Sequence, residues 1–214
     1  MKNLLPGLRK FNQDVFPQKQ ELFESLAQGQ APHTLMIACS DSRIDPGLVT
    51  QTQPGEIFLI RNAGNIIPPF GAANSGEEAT IEFAVAGLKV RNIVVCGHSK
   101  CGAMAALSQG ANLEKLPSLK RWLGHAAATK RRLEDSPRLH DLTEVVGENV
   151  LVQVSNLKTH PAVSAALAHN KLKIYAWVYH FENGEVFVYD TEHNEFIPSH
   201  RISEEHIDAT KFSL

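Results

Sequence analysis

Thr34-Leu35-Met36-Ile37-Ala38-Cys39-Ser40-Asp41-Ser42-Arg43 is an apolar run that gives way abruptly to small and charged residues. A second stretch of the same kind, Asn92-Ile93-Val94-Val95-Cys96-Gly97, gives way to His98-Ser99-Lys100-Cys101. The two runs predict strands at Thr34–Ala38 and Asn92–Cys96. A further strand, Glu56–Arg61, follows the Gln53-Pro54-Gly55 turn. Between them Ser75, with Glu78 three residues later, forms a capping-box pattern ahead of a helix carrying Ile81, Phe83, Ala84 and Leu88. Another helix begins at Gly102 and runs through Met104 and Leu107. This alternation of strand and helix argues for parallel βαβ units.

Upstream, residues 8–28 read as helical, with Pro17 breaking the stretch into two pieces and Gly29 ending it. Downstream, residues 113–169 are helical in pattern and interrupted by Pro117, Pro137 and Pro161. Ile174–His180 and Glu185–Asp190 flank Glu182-Asn183-Gly184, where Asn-Gly is a strong hairpin signal. The expected fold is therefore α/β: a mostly parallel central sheet with flanking helices and an antiparallel edge strand from a C-terminal hairpin. One domain over residues 1–214 is expected, with an N-terminal helical arm at 1–30, an α/β core at 31–190 and a tail at 191–214.

The chain has 214 residues and a formal net charge of −2, with 43% hydrophobic and 21% charged residues. That balance gives no electrostatic footprint for nucleic acid or an anionic membrane. No apolar run approaches the ~18 residues of a membrane span, and the start lacks the unbroken apolar segment of a signal peptide. Three cysteines are too few, and odd in number, for a disulfide framework. They fit a reducing interior, cytosolic or organelle-like, and either thiol chemistry or metal binding.

Cys39, His98 and Cys101 lie just past predicted parallel strands, at the carboxyl ends where ligands collect in such sheets. Two thiolates and one imidazole are donors that zinc prefers. A fourth position is left for water or for Asp41. That is the ligand count of a catalytic site, since a structural site would close with a fourth Cys or His. Cys101 lies near a helix start, which favours its thiolate. Buried packing thiols are the competing reading, and the polar neighbours of both cysteines speak against it. Cys96, inside a β run, reads as an inert core thiol.

Ala38-Cys39-Ser40-Asp41-Ser42-Arg43, Arg61-Asn62-Ala63-Gly64-Asn65 and Cys96-Gly97-His98-Ser99-Lys100-Cys101-Gly102 together resemble the β-class carbonic anhydrases, and the likeness extends more weakly over nearly the whole chain. The resemblance implies reversible hydration of carbon dioxide to bicarbonate and a proton, with one Zn2+ per subunit held by Cys39, His98 and Cys101. Asp41 would either bind the metal, closing the site, or be clasped by Arg43 and orient the attacking water. Members closed by bicarbonate carry tryptophan and glycine where this chain has Met36 and Ala38. It therefore resembles the open, plant-like type, with Asp41 on Arg43.

By position, Gln30 matches a glutamine that hydrogen-bonds substrate, and loop placement alone is its other reading. Phe58 and Phe83 match aromatic residues that wall the carbon dioxide pocket, although core packing accounts for them nearly as well. Gly102 could present a backbone N–H to a bound anion. No histidine beyond His98 is singled out as a proton shuttle, and Lys130-Arg131-Arg132 reads as a solvated helix face. The resemblance also implies a homodimer or larger homo-oligomer, with the N-terminal helices packing on a partner subunit. Cytoplasmic placement is expected. Likeness to cyanobacterial enzymes adds the carboxysome as a second compartment. Two other functions stay open: hydrolysis of carbonyl sulfide or carbon disulfide on the same scaffold, and a zinc-stabilised scaffold without catalysis.

Overall fold

Six strands form one sheet in the order β2-β1-β3-β4-β5-β6. They are β1 (Thr34–Cys39), β2 (Ile57–Asn62), β3 (Asn92–His98), β4 (Lys173–His180), β5 (Glu185–Asp190) and β6 (Glu195–Pro198). The computed structural model describes residues 2–203 and 210–212. Its chain divides into two units, Met1–Ala31 and Pro32–Leu214, and the sheet belongs to the second.

The first unit is helical. α1 (Leu5–Lys10) continues into a π-helical turn over Phe11–Val15, and a 3-10 turn over Pro17–Lys19 leads into α2 (Gln20–Leu26). Pro17 interrupts the stretch as expected, because it lacks the N–H that an α-helix interior needs. Phe11, Phe16 and Phe23 form a ring cluster with centroids 5.5–6.2 Å apart. Leu4, Leu5, Leu8 and Phe11 remain exposed.

The helices of the second unit are α3 (Pro46–Thr50), α4 (Gly76–Glu82), α5 (Gly102–Gln109), α6 (Pro117–Leu123), α7 (Ala127–Leu133), α8 (Leu142–Leu157) and α9 (Pro161–Ala168). Pro117 and Pro161 stand at the first position of α6 and α9, and Pro137 opens a 3-10 turn. The helical pattern is broken at these three prolines, as expected. At a helix start the missing N–H costs nothing and the fixed φ is already helical, so each proline begins a segment. The capping box is only half formed: Ser75 Oγ accepts from the Glu78 N–H at 3.4 Å, but the Glu78 carboxylate accepts from Gly71 N–H at 3.2 Å instead of returning to Ser75.

β1 runs parallel to both β2 and β3, and β3 runs parallel to β4. β4–β5 and β5–β6 are antiparallel. The single edge strand expected from the hairpin is thus two strands, since β6 lies in the segment expected to be a tail. Gly184 closes the hairpin at φ +76°, a conformation glycine adopts without steric cost. All of β1, and all of β3 except Asn92, is buried, as befits strands with parallel neighbours on either side.

Leu35, Ile37, Ile93, Val95, Ile174, Ala176 and Val178 face a core completed by Val146, Val150, Val154 and Leu157 of α8. Met36, Ala38, Val94 and Cys96 form a second cluster with Tyr175, Trp177 and Tyr179. Gly97 is where α8 comes nearest: a Cβ there would sit 2.7 Å from Val150 Cγ2 and 2.9 Å from Val146 Cγ1. We expect Gly97→Ala to destabilise the fold by about 1–3 kcal/mol, as overpacking does. A lowered urea midpoint at unchanged slope would show it, and an unchanged midpoint would mean the helix yields freely. Among the described residues, no helix is long and apolar enough to cross a membrane.

Candidate metal centre

The parallel register brings the ends of β1 and β3 side by side, with Ala38 opposite Cys96. Cys39 is the last residue of β1 and His98 the last of β3. The chain then turns sharply, with Lys100 in the left-handed region at φ +54°, and Cys101 becomes the N-cap of α5. One ligand atom from each of Cys39, His98 and Cys101 lies within 4.8 Å of the others, and all three residues are buried. Those are the three residues singled out from sequence. They converge because two strand ends and a helix start meet at one edge of the sheet.

The histidine is set up as a ligand. Its Nδ1 lies 2.8 Å from the Ser99 carbonyl oxygen, so Nδ1 carries the proton and Nε2 presents its lone pair. That Nε2 is buried without a hydrogen-bond partner. Such an orphan is costly unless something binds it. The two thiols add the charge. The Cys101 thiol beside it, with help from the amides of Gly64 and Asp41, holds the Cys39 thiol well below its ordinary value despite burial. Cys101 moves the other way, because it is buried beside that thiolate, although the first amides of α5 partly offset this. The pair therefore favours one thiolate and one retained proton. A divalent cation among these atoms would displace that proton and fill the gap at Nε2. The donor set fits zinc.

Around this cluster the backbone is braced. Gly64 N–H donates to Cys39 Sγ at 3.4 Å. Arg61 Nε and Nη2 donate to the carbonyl oxygens of Cys39 and Asp41 at 3.0 and 2.8 Å. Asp41 Oδ2 stands 3.9 Å from His98 Nε2. Its carboxylate accepts from Arg43 Nε at 2.9 Å, from Arg43 Nη2 at 2.7 Å and from the Arg43 backbone N–H at 3.0 Å. This bidentate, charge-assisted grip holds the Asp41 carboxyl well below the usual carboxylate range. Arg43 is itself located by a bond from Nη2 to the Lys100 carbonyl at 3.2 Å, and its Cζ lies 4.4 Å from the centre of the Phe181 ring.

Gln30 is exposed in the first unit, past the end of α2. Phe58 on β2 is half-buried against the main core, and its ring centroid lies 6.0 Å from that of Phe83, which is 49% exposed. Gly102 is the exposed first residue of α5, with nothing within 4 Å of where a Cβ would stand. Cys96 is buried, and burial pushes its thiol up to about 12, as suits an inert core residue. Of the Lys130-Arg131-Arg132 run, Arg131 pairs with Glu134 and Arg132 with Glu148 on α8.

Several contacts were not foreseen. Ser99 Oγ hydrogen-bonds Glu182, and Lys100 Nζ lies 3.9 Å from the same carboxylate, so the β4–β5 turn clamps the His98–Cys101 segment. Phe181 carried no sequence signal. Arg61 and Gly64 did, through the motif that contains them.

A parallel α/β sheet with a buried pair of thiols and an imidazole at its strand ends, beside an arginine-clasped carboxylate, defines the class: a metalloprotein with a functional site at the sheet's carboxyl edge. The carbonic anhydrase family model matches residues 34–186. The carbonic anhydrase of Synechococcus elongatus is 52% identical over 191 residues, covering 87% of this chain and 70% of that one. The structure of the β-carbonic anhydrase CcaA aligns at a TM-score of 0.88 and 45% identity, over 92% of this chain and 91% of the other. One of two tetrameric β-carbonic anhydrases from Sordaria macrospora aligns at 0.77 and 28% identity, over 87% and 95%. This chain belongs to the carbonic anhydrase family, in its β class, and its activity is that of a carbonic anhydrase.

Proposed function

We propose that the chain carries out zinc-dependent, reversible hydration of carbon dioxide, with Cys39, His98 and Cys101 holding the ion. The observation that carries the reading is His98 Nε2, buried, unpartnered and facing two thiols. Zinc bound there would supply Lewis acidity, making a water acidic enough near neutral pH to act as the nucleophile.

The remaining work falls to the protein. Ser99 holds the tautomer of His98 through its carbonyl oxygen. Arg43 keeps Asp41 ionised and turned towards itself, so that Asp41 accepts a hydrogen bond from the attacking water and aims its lone pair at carbon. Phe58 and Phe83 offer an apolar wall suited to a substrate without a dipole. The Gly102 N–H is assigned to the polar side of substrate or product. The domain reading is a single catalytic unit with an N-terminal arm, and the exposed Leu4, Leu5, Leu8 and Phe11 support packing of that arm on a second copy in a homo-oligomer. Three free thiols support a reducing interior such as the cytoplasm.

Metal analysis with stopped-flow assays on carbon dioxide, carbonyl sulfide and carbon disulfide tests the reading. One zinc per chain and rapid hydration are expected. Full hydration by metal-free protein would overturn it, and so would hydrolysis of the sulfur compounds without hydration.

A further inference from the structure

We propose that Trp122, on α6, is a positioning residue for the sulfur of Cys39; this rests on the reading that Cys39 is a metal ligand. The peptide joining Ala63 to Gly64 is gripped at both ends. Its carbonyl oxygen accepts from the indole Nε1–H of Trp122 at 2.8 Å, and its N–H donates to Cys39 Sγ at 3.4 Å. In a planar trans peptide these two groups point in opposite directions, so anchoring the oxygen sets the direction of the N–H. Trp122 is half-buried and makes an edge contact with His125, but its only polar atom is spent on this carbonyl.

The neighbouring peptide is pinned as well. Gly64 O accepts from Asn149 Nδ2 at 3.1 Å. Asn149 is wholly buried, and its Oδ1 accepts from Gln153 Nε2 at 2.9 Å and from Thr129 Oγ1 at 3.3 Å. Gln153 Oε1 in turn accepts from Ile67 N–H at 2.8 Å. Gly64 itself has φ +82°, and a Cβ on it would meet Met104 Cε at 3.0 Å and Ala103 Cβ at 3.1 Å. The turn therefore sits hard against α5, whose cap is Cys101. Asn149 and Gln153 hang this loop from α8, and Trp122 sets the tilt of the Ala63–Gly64 peptide, whose N–H faces the sulfur alongside that of Asp41. An N–H aimed at a thiolate draws charge from it and restrains its direction, so Trp122 governs how firmly Cys39 holds a metal.

The test uses full-length protein loaded with 113Cd in place of zinc, which makes the hydrogen bond visible as scalar coupling between the Gly64 amide proton and the metal through Cys39 Sγ. Coupling is expected in the unaltered protein. It should be lost in Trp122→Phe, with metal release to a chelator about tenfold faster, within the range outer-shell changes produce. Placing the shape-matched benzothienylalanine at position 122 removes only the N–H and keeps the packing, and the same loss is expected there. This second variant decides the matter if Trp122→Phe does not fold. Absent coupling in the loaded, unaltered protein, or coupling and release rate unchanged in the folded variants, overturns the proposal. Failure of the underlying reading looks different: the protein takes up no cadmium, or Cys39→Ser takes up a full equivalent.

Discussion

Replacing Cys39 by serine will remove the metal and the hydration activity together. A serine hydroxyl stays protonated near neutral pH and is a harder, weaker donor than a thiolate, so it cannot supply the charge that zinc draws from this position. Outer-shell partners alone typically cost ~10–100-fold in affinity or rate when removed, and losing a ligand should cost more. Cys39 also organises its surroundings, accepting from Gly64 N–H while its carbonyl oxygen accepts from Arg61. Zinc content by elemental analysis and hydration by stopped flow should fall in step. Full turnover by metal-free Cys39→Ser protein would refute its role.

Removing the Arg43 side chain should have the opposite signature: metal kept, turnover lost. Asp41 now receives three N–H donors, two from the guanidinium and one from the Arg43 backbone. Arg43→Ala leaves only the backbone donor, and a carboxylate whose Oδ2 already stands 3.9 Å from His98 Nε2 is then free to turn inward. Turnover should fall on the order of 100-fold, at the upper end of outer-shell losses. X-ray absorption should show an added carboxylate oxygen at unchanged zinc content. The double variant Arg43→Ala, Asp41→Asn should regain part of the rate, because a neutral amide competes poorly for zinc. Unchanged turnover in the single variant would exclude Arg43 from control of Asp41.

The strands and the three candidate ligands were legible because each signal is local. An apolar run shows a strand, and Cys and His at its end stand out against it. The antiparallel β6 was missed because Glu195–Pro198 is short and contains a proline, which fits a strand only at a sheet edge, where β6 lies. Pro117, Pro137 and Pro161 marked the breaks between helical segments, and each stands where the next segment begins. The support around the site was largely invisible. Phe181 beneath Arg43, Glu182 on Ser99 and Trp122 on Ala63 are contacts between residues distant in the chain, and no spacing announces them.

The register that sets Cys39 beside the end of β3 also fixes when the centre can come into being. Its donors come from segments far apart in sequence, joined through parallel strands whose pairing needs long crossovers and forms slowly. No half-folded chain holding β1 alone, or β3 with α5 alone, owns the site. Zinc capture at full affinity would therefore be a late event, and a bound ion would certify that the middle of the sheet had closed.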